Sequence, residues 1–273
     1  MSETVTLTLR APLAEVVGAE SIAADRLAML GNREIAALPV WVGTRRVPLG
    51  EIFKVDGEKA DRVRVAGDLA RVDGLGAGMG GGTLVIDGSA GRDIGVGLRG
   101  GTIDVRGDVG DGAGVAMAGG QLRIAGRAGD RLGAALPGAS RGMVGGEIVV
   151  RGDVGRDAGH RARRGLIVIG GNAGPGAARD MIAGTVLVQG NAGPGAGAWS
   201  KRGSVIALGA ITVPVTYSHA CTYRPTVVRV LLRYIRRQYA FPVDDRFVSG
   251  LYSRYVGDLA DVGRGEILQW QTQ

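Results

Sequence analysis

Between Arg62 and Ala210 apolar residues recur in pairs that flank a single position: Val63/Val65, Leu84/Ile86, Ile103/Val105, Leu122/Ile124, Ile148/Val150, Ile167/Ile169, Val186/Val188 and Val205/Ala207. A glycine stands two residues after each pair, at Gly67, Gly88, Gly107, Gly126, Gly152, Gly171, Gly190 and Gly209. These anchor glycines are 21, 19, 19, 26, 19, 19 and 19 residues apart. Alternation at period two marks a strand with one buried face. A fixed period near 20 marks a repeat architecture. Two residues past each anchor the side chain is apolar again (Leu69, Ala90, Val109, Ala128, Val154, Ala173, Ala192, Ile211). A second glycine lies six residues before seven of the anchors, from Gly82 to Gly203. One repeat cannot bury its own apolar face, whereas stacked repeats can, by pairing each strand with its equivalent in the next coil. Glycine at this density opposes a helical solenoid. The pattern therefore predicts a mainly β chain built as a parallel β-helix of about 19 residues per coil. The spacing does not set its hand; the general rule for parallel crossovers makes right-handed the expectation.

The flanks read differently. Residues 1–61 predict a small α/β cap: a strand at 4–10, two short helices within 20–38 with Ser21 and Asn32 as N-caps, and strand pieces at 40–42 and 52–55. Residues 62–214 form the repeat domain, and 215–273 a helical C-terminal extension centred on an amphipathic helix at 226–239. Three positions before the anchors the first half is mixed (Arg64, Val85, Asp104, Arg123), but the last four coils present Val149, Val168, Leu187 and Ile206. An outward apolar stripe needs cover from another element or a partner, which makes these four interface candidates. The helix at 226–239, through Val227, Leu231, Tyr234 and Ile235, is the expected cover.

Composition narrows the picture. Glycine supplies 50 of 273 residues and aromatics only 4%, so the core must be Val, Ile, Leu and Ala under tight turns. The formal charge is +7, carried mostly by arginine, whose planar fork suits carboxylate and phosphate. By repeat register Arg99, Arg163, Arg164, Lys201 and Arg202 share one corner and predict a basic edge, either steering an anionic tail or docking an acidic subunit. Nucleic acid is not expected, because no aromatic stacking platform accompanies the charge. Cys221 is the single cysteine, which excludes an intrachain disulfide and fits a reducing compartment. With no signal-peptide pattern and no apolar run long enough for a membrane span, the expected location is cytoplasmic.

Catalytic chemistry is not apparent. The glycines recur in every coil and no GK[ST] follows them, so they read as corners rather than a phosphate loop. One residue after the anchors Asp68, Ser89, Asp108, Arg127, Asp153, Asn172 and Asn191 form a polar ladder, expected to bond backbone at its own turns. His219 and Cys221 lack a second ligand pair, so no metal site is expected. No nucleophile, base and oxyanion donor occur together, and no acidic pair suits glycoside hydrolysis, so no catalytic residue is expected on this chain. The seven extra residues around 136–142 predict a loop leaving one corner.

The lead-in Ile35-Ala-Ala-Leu-Pro-Val-Trp-Val-Gly-Thr-Arg-Arg-Val-Pro-Leu-Gly-Glu-Ile-Phe53, passing straight into the repeats, resembles the C subunit of formylmethanofuran dehydrogenase. The repeats also resemble the C-terminal β-helix of the glutamate synthase large subunit. The tail, with Gly257-Asp258 and Gly265-Glu266-Ile267-Leu268, is similar to the C subunit of the formyltransferase/hydrolase complex of methylotrophic bacteria. That resemblance implies a noncatalytic structural subunit in one-carbon metabolism. Its partners are then the formyltransferase and hydrolase subunits, which convert formyl-tetrahydromethanopterin to formate through a methanofuran-type carrier, methylofuran. It implies no cofactor held tightly by this chain. The alternatives are the C subunit of an archaeal-type formylmethanofuran dehydrogenase and a structural β-helix partner of a glutamate-synthase-type amidotransferase.

Overall fold

The computed structural model describes residues 4–272; the first three residues of the expected cap and the last of the tail lie outside it. The cap contains β1 (Val5–Leu9), β2 (Val17–Gly18), α1 (Ala24–Leu27), α2 (Asn32–Ala36), β3 (Pro39–Val42), β4 (Arg45–Pro48), α3 (Leu49–Ile52) and β5 (Phe53–Asp56). The repeats contribute β6 (Arg62–Ala66), β7 (Val72–Asp73), β8 (Thr83–Asp87), β9 (Thr102–Val105), β10 (Gln121–Ile124), β11 (Glu147–Val150), β12 (Leu166–Ile169), β13 (Thr185–Val188) and β14 (Arg202–Ala207). The tail adds β15 (Ser218–Tyr223), α4 (Thr226–Tyr239), α5 (Asp245–Ser249), β16 (Tyr252–Gly257) and β17 (Arg264–Trp270).

A 13-stranded mixed sheet runs β15-β16-β17-β14-β13-β12-β11-β10-β9-β8-β6-β1-β5. From β1 to β17 every neighbour is parallel, and the apolar pairs stack in register: Leu84 opposite Ile103, Leu122, Ile148, Ile167, Val186, Val205 and finally Ile267. Strand-to-strand offsets follow the anchor intervals, 19 residues wherever no insertion intervenes, as at Thr83 opposite Thr102. A second line of parallel bridges joins Leu69, Ala90, Val109, Ala128, Val154, Ala173, Ala192 and Ile211 in turn. Both lines point into one buried cluster, with Leu84, Ile103, Leu122 and Ile148 fully excluded from solvent. Every second residue of each strand is thereby removed from water, worth about 1.5–3 kcal/mol per large aliphatic side chain. Four further strands, β4-β3-β2-β7, form a smaller sheet that joins the cap to the first repeat.

Glycine serves two separate purposes at the corners. Gly101 has φ +76, a conformation other residues avoid. Gly126 does not; there a Cβ would stand 2.7 Å from the carbonyl carbon and oxygen of Gly107 in the preceding repeat. Close stacking of backbones, rather than turn geometry, demands glycine at that anchor.

Three expectations need correction. Ala23 and Gly31, not Ser21 and Asn32, are the N-caps of α1 and α2. The Asn32 amide instead donates to Val55 O at 3.0 Å, tying α2 to β5, while the Glu34 carboxylate accepts from Gly31 N. The tail is not simply helical: β17 pairs with β14 as though the intervening residues were one long insertion, Gly265 opposite Gly203 and Ile267 opposite Val205. The helix α4 lies over the outward stripe as expected, but turned by about one residue, roughly 100°. Val228, Leu232, Ile235 and Tyr239 face inward and share a second apolar cluster with Val149, Val168, Leu187 and Ile206. As an interface the stripe is thus internal, covered by the chain's own tail. Apolar residues lie on most sides of this helix, so periodicity could not choose the face. Among the described residues no helix is long and apolar enough to cross a membrane.

Candidate functional site

Part of the expected basic edge, Arg163 and Lys201, gathers at one corner, and the backbone shows how it is built. Arg163 N bonds Met143 O at 2.7 Å, Ile182 N bonds Ala162 O, and Lys201 N bonds Met181 O, which places Arg163 and Lys201 two repeats apart on one edge. The loop with the seven extra residues leans against this edge: Gly142 N bonds Arg161 O at 2.8 Å and the Arg161 guanidinium donates to Ala139 O at 3.1 Å. Between loop and edge opens a pocket of about 610 Å³ lined by Arg141, Arg161, Arg163, Asp180, Lys201 and Asp261, with Ser140 and Ile182.

Four cationic side chains meet two carboxylates there. His160 lies 3.2 Å from Asp180, and Lys201 lies 3.8 Å from Asp261, so each acid already has a neighbour. Arg141 and Arg163 have no acidic partner among the described residues. Two free guanidinium forks facing one open pocket suit a ligand carrying more than one carboxylate or phosphate. Of the predicted edge, Arg163 and Lys201 enter the pocket. Arg164 and Arg202 are exposed beside them in sequence but do not line it. Arg99 is separate, donating to Gly78 O at 3.0 Å, with Ala118 and Val144 at the intervening edge positions. Arg141 and Asp261 come from distant stretches; the only sequence signal for Arg141 was its place in the insertion.

The polar ladder has a structural use, although most of its partners differ from expectation. Asp108 Oδ1 accepts from Arg127 N at 2.7 Å, Asp153 Oδ1 from Asn172 N at 2.7 Å, Asn172 Oδ1 from Asn191 N at 2.8 Å and Asn191 Oδ1 from Ala210 N at 2.9 Å. These four side chains reach the next repeat, whereas Asp68 Oδ1 accepts from Ala70 N at 3.3 Å within its own turn, as expected. A second ladder, not foreseen, runs three residues further on, where Asp111 accepts from Asp130 N and Asp130 from Arg156 N. Near the pocket Asp258 is buried; burial alone raises a carboxyl pKa, but hydrogen bonds from the Thr216 hydroxyl and from Ala260 N and Trp199 N outweigh it and hold the group below its ordinary value. Among the described residues no group of three or more His, Cys, Asp or Glu side chains is placed to hold a metal. Cys221 is exposed and free, and His219 stands 3.3 Å from the Thr222 hydroxyl.

Fold and site together define a glycine-repeat protein of stacked parallel strands with a basic side pocket. Comparison with known proteins gives it a family. A chain of the X-ray crystal structure of the formyltransferase/hydrolase complex (FhcABCD) from Methylorubrum extorquens, in complex with methylofuran, superposes with a TM-score of 0.88 at 33% identity, covering 98% of this chain and 100% of that one. The C subunit of the formyltransferase/hydrolase complex Fhc from Methylorubrum extorquens is 35% identical over 87 residues, 32% of this chain and 33% of that protein. The C subunit of molybdenum-containing formylmethanofuran dehydrogenase 1 from Methanosarcina barkeri is 35% identical over 81 residues, 28% of this chain and 27% of the relative. These curated matches thus span about a third or less of the relatives' length. No protein-family profile matches the chain. The chain belongs to the family formed by the C subunits of the formyltransferase/hydrolase complex and of formylmethanofuran dehydrogenase.

Proposed function

We propose that this protein is the noncatalytic structural subunit of a formyltransferase/hydrolase complex. The observation that carries this reading is the end-to-end match, 98% of one chain and 100% of the other, to a chain from such an assembly. In this role the two bridged lines of strands wind as a parallel β-helix of about 19 residues per coil. The column joins the formyltransferase and hydrolase subunits, which pass a formyl group from formyl-tetrahydromethanopterin to a methanofuran-type carrier and release formate. The pocket of Arg141, Arg161, Arg163 and Lys201 steers the acidic tail of that carrier between the two sites. The chain itself supplies position and charge, not chemistry.

The test is purification of the native protein under mild conditions. Formyltransferase and hydrolase polypeptides should accompany it, and formyl transfer should follow the same fractions. Recovery as an isolated chain, with formyl transfer unaffected by its removal, overturns the reading. The partial matches to formylmethanofuran dehydrogenase subunits favour a second reading, membership of a dehydrogenase of that type, which companion polypeptides carrying iron–sulfur clusters and a molybdenum pterin would reveal.

A further inference from the structure

Two apolar stripes wind along α4, and the fold covers only one. The inner stripe is Val228, Leu232, Ile235 and Tyr239. The outer one is Val227, Val230 and Tyr234, exposed to 61%, 60% and 39%. Spacings of three and four residues put the three on a single line along the helix. Arg229, Arg233 and Arg237 accompany that line at four-residue intervals, and none has an acidic partner among the described residues. Arg236 of the same helix shows the contrast, paired with Asp245 at 2.8 Å. A hollow of about 490 Å³ runs between Val230, Arg233, Tyr234, Arg237 and Gln238. Past the helix C-terminus it is followed by a cleft of about 460 Å³ in which Arg106, Arg123, Arg151 and Arg237 gather against Asp104. An apolar centre with a charged rim is the anatomy of a protein–protein interface.

We infer that the outer face of α4 docks a companion subunit, one that offers an apolar ridge bordered by Asp and Glu. The inference rests on the subunit role proposed above. Charge selects this occupant. A second copy of the chain, related by a two-fold axis, would bring Arg229, Arg233 and Arg237 against their own equivalents, and like charges facing each other across an interface oppose association. Acidic side chains on a companion would instead pair with guanidinium groups that the fold leaves free, while its apolar ridge covers Val227 and Val230. The helix is already held rigid on the sheet, with the Tyr234 hydroxyl fixed by Glu147, so little ordering is needed at docking.

The test co-expresses the full chain with the formyltransferase and hydrolase polypeptides of its own organism and measures assembly by native mass spectrometry and titration. Val230→Asp and the pair Arg233→Glu/Arg237→Glu should weaken assembly by about tenfold or more. Arg33→Glu/Arg46→Glu, at exposed positions of the cap, should assemble as the unaltered chain does. A photo-reactive benzoylphenylalanine in place of Val230 should cross-link to a companion peptide rich in Asp or Glu. Unchanged thermal midpoints show that the variants fold. If the unaltered chain assembles and the α4 variants assemble equally well, this surface is refuted while the subunit role stands. If the unaltered chain does not assemble, both fall. A cross-link to a second copy, or loss of binding to anionic lipid vesicles in place of loss of assembly, also overturns the docking surface.

Discussion

The hydroxyl of Tyr234 donates to the carboxylate of Glu147, 2.9 Å from each oxygen. Glu147 opens β11 and Tyr234 sits on α4, so one bond joins the repeat column to the tail across 87 residues of chain. Tyr239 donates to the same carboxylate, and its ring stands edge-on to that of Tyr234 at 6.2 Å. Burial first, and Glu147 second, push both phenol pKa values upward, which keeps the hydroxyls protonated as donors. Glu147→Ala should lower unfolding stability by about 1–2 kcal/mol and loosen α4 before the column melts. Denaturant unfolding followed by far-ultraviolet circular dichroism and by tyrosine fluorescence checks both; coincident, unshifted transitions would refute the clamp.

The face of α4 that packs can be tested by contrast. Leu187 is fully buried under the helix, while Val227 is mostly exposed. Leu187→Ala should cost about 2–5 kcal/mol through lost burial and a residual cavity. Val227→Ala should stay within about 0.5 kcal/mol of the unaltered chain. Similar costs at the two positions would restore the face expected from periodicity alone.

Two glycines make opposite predictions for the same substitution. Gly126→Ala drives a methyl into the Gly107 carbonyl and should destabilise by about 1–3 kcal/mol. Gly81 has nothing within 4 Å of its would-be Cβ and no positive φ, so Gly81→Ala should be neutral or stabilise by about 0.4–1 kcal/mol through the unfolded chain. Thermal unfolding of the pair decides it.

Asp258 links stability to acidity. Its Oδ2 accepts from Trp199 N at 2.8 Å and its Oδ1 from Ala260 N at 2.9 Å, and its folded pKa lies below the ordinary value. A depressed carboxylate pKa stabilises fully above the unfolded value, about 4, and the contribution disappears as pH falls through the lower folded value. Stability should therefore drop below about pH 4, and Asp258→Asn should flatten that part of the profile while lowering stability near neutrality by about 1–3 kcal/mol. An identical acid limb in the variant would remove Asp258 from the account.

The pocket predicts a ligand class that can be measured on the chain alone. Citrate, a compact tricarboxylate, should bind with an affinity that falls as salt rises, because the groups are partly exposed and screened. Arg141→Glu/Arg163→Glu should abolish binding, whereas Arg99→Glu should leave it unchanged, since Arg99 lies outside the pocket. Calorimetry at two salt concentrations distinguishes these outcomes.

The column was legible in the sequence because its period repeats one physical requirement many times. A misjudged position in one repeat is corrected by seven others, so the strand register from Val63 to Val205 could be read residue by residue. The tail had no such redundancy. Gly265-Glu266-Ile267-Leu268 matches Gly203-Ser204-Val205-Ile206 closely enough to show another strand of the stack, but it arrives after 62 residues rather than 19 and escaped the periodic reading. The packed side of α4 was hidden for a different reason: with Val227, Val228, Val230, Leu231 and Leu232 in one stretch, only contact with Val168 and Leu187 decides the inward face. The basic corner was visible as a charge register. Its closure into a pocket was not, since Arg141 and Asp261 are brought there by an insertion and by the tail.

The return of the chain at β17 also bears on what two such molecules do when their ends meet. A stack of identical parallel rungs is in principle endless, and an open last rung invites the first rung of another copy. Here the parallel run is broken at both ends by a strand of opposite direction, β5 beside β1 and β16 beside β17. Beyond β16, β15 carries a bulge between His219 and Cys221. An incoming copy meets a reversed or kinked edge rather than a continuation of the ladder. Both ends of the stack thus carry the kind of edge, a reversed strand or a bulge, that works against end-to-end continuation of the ladder.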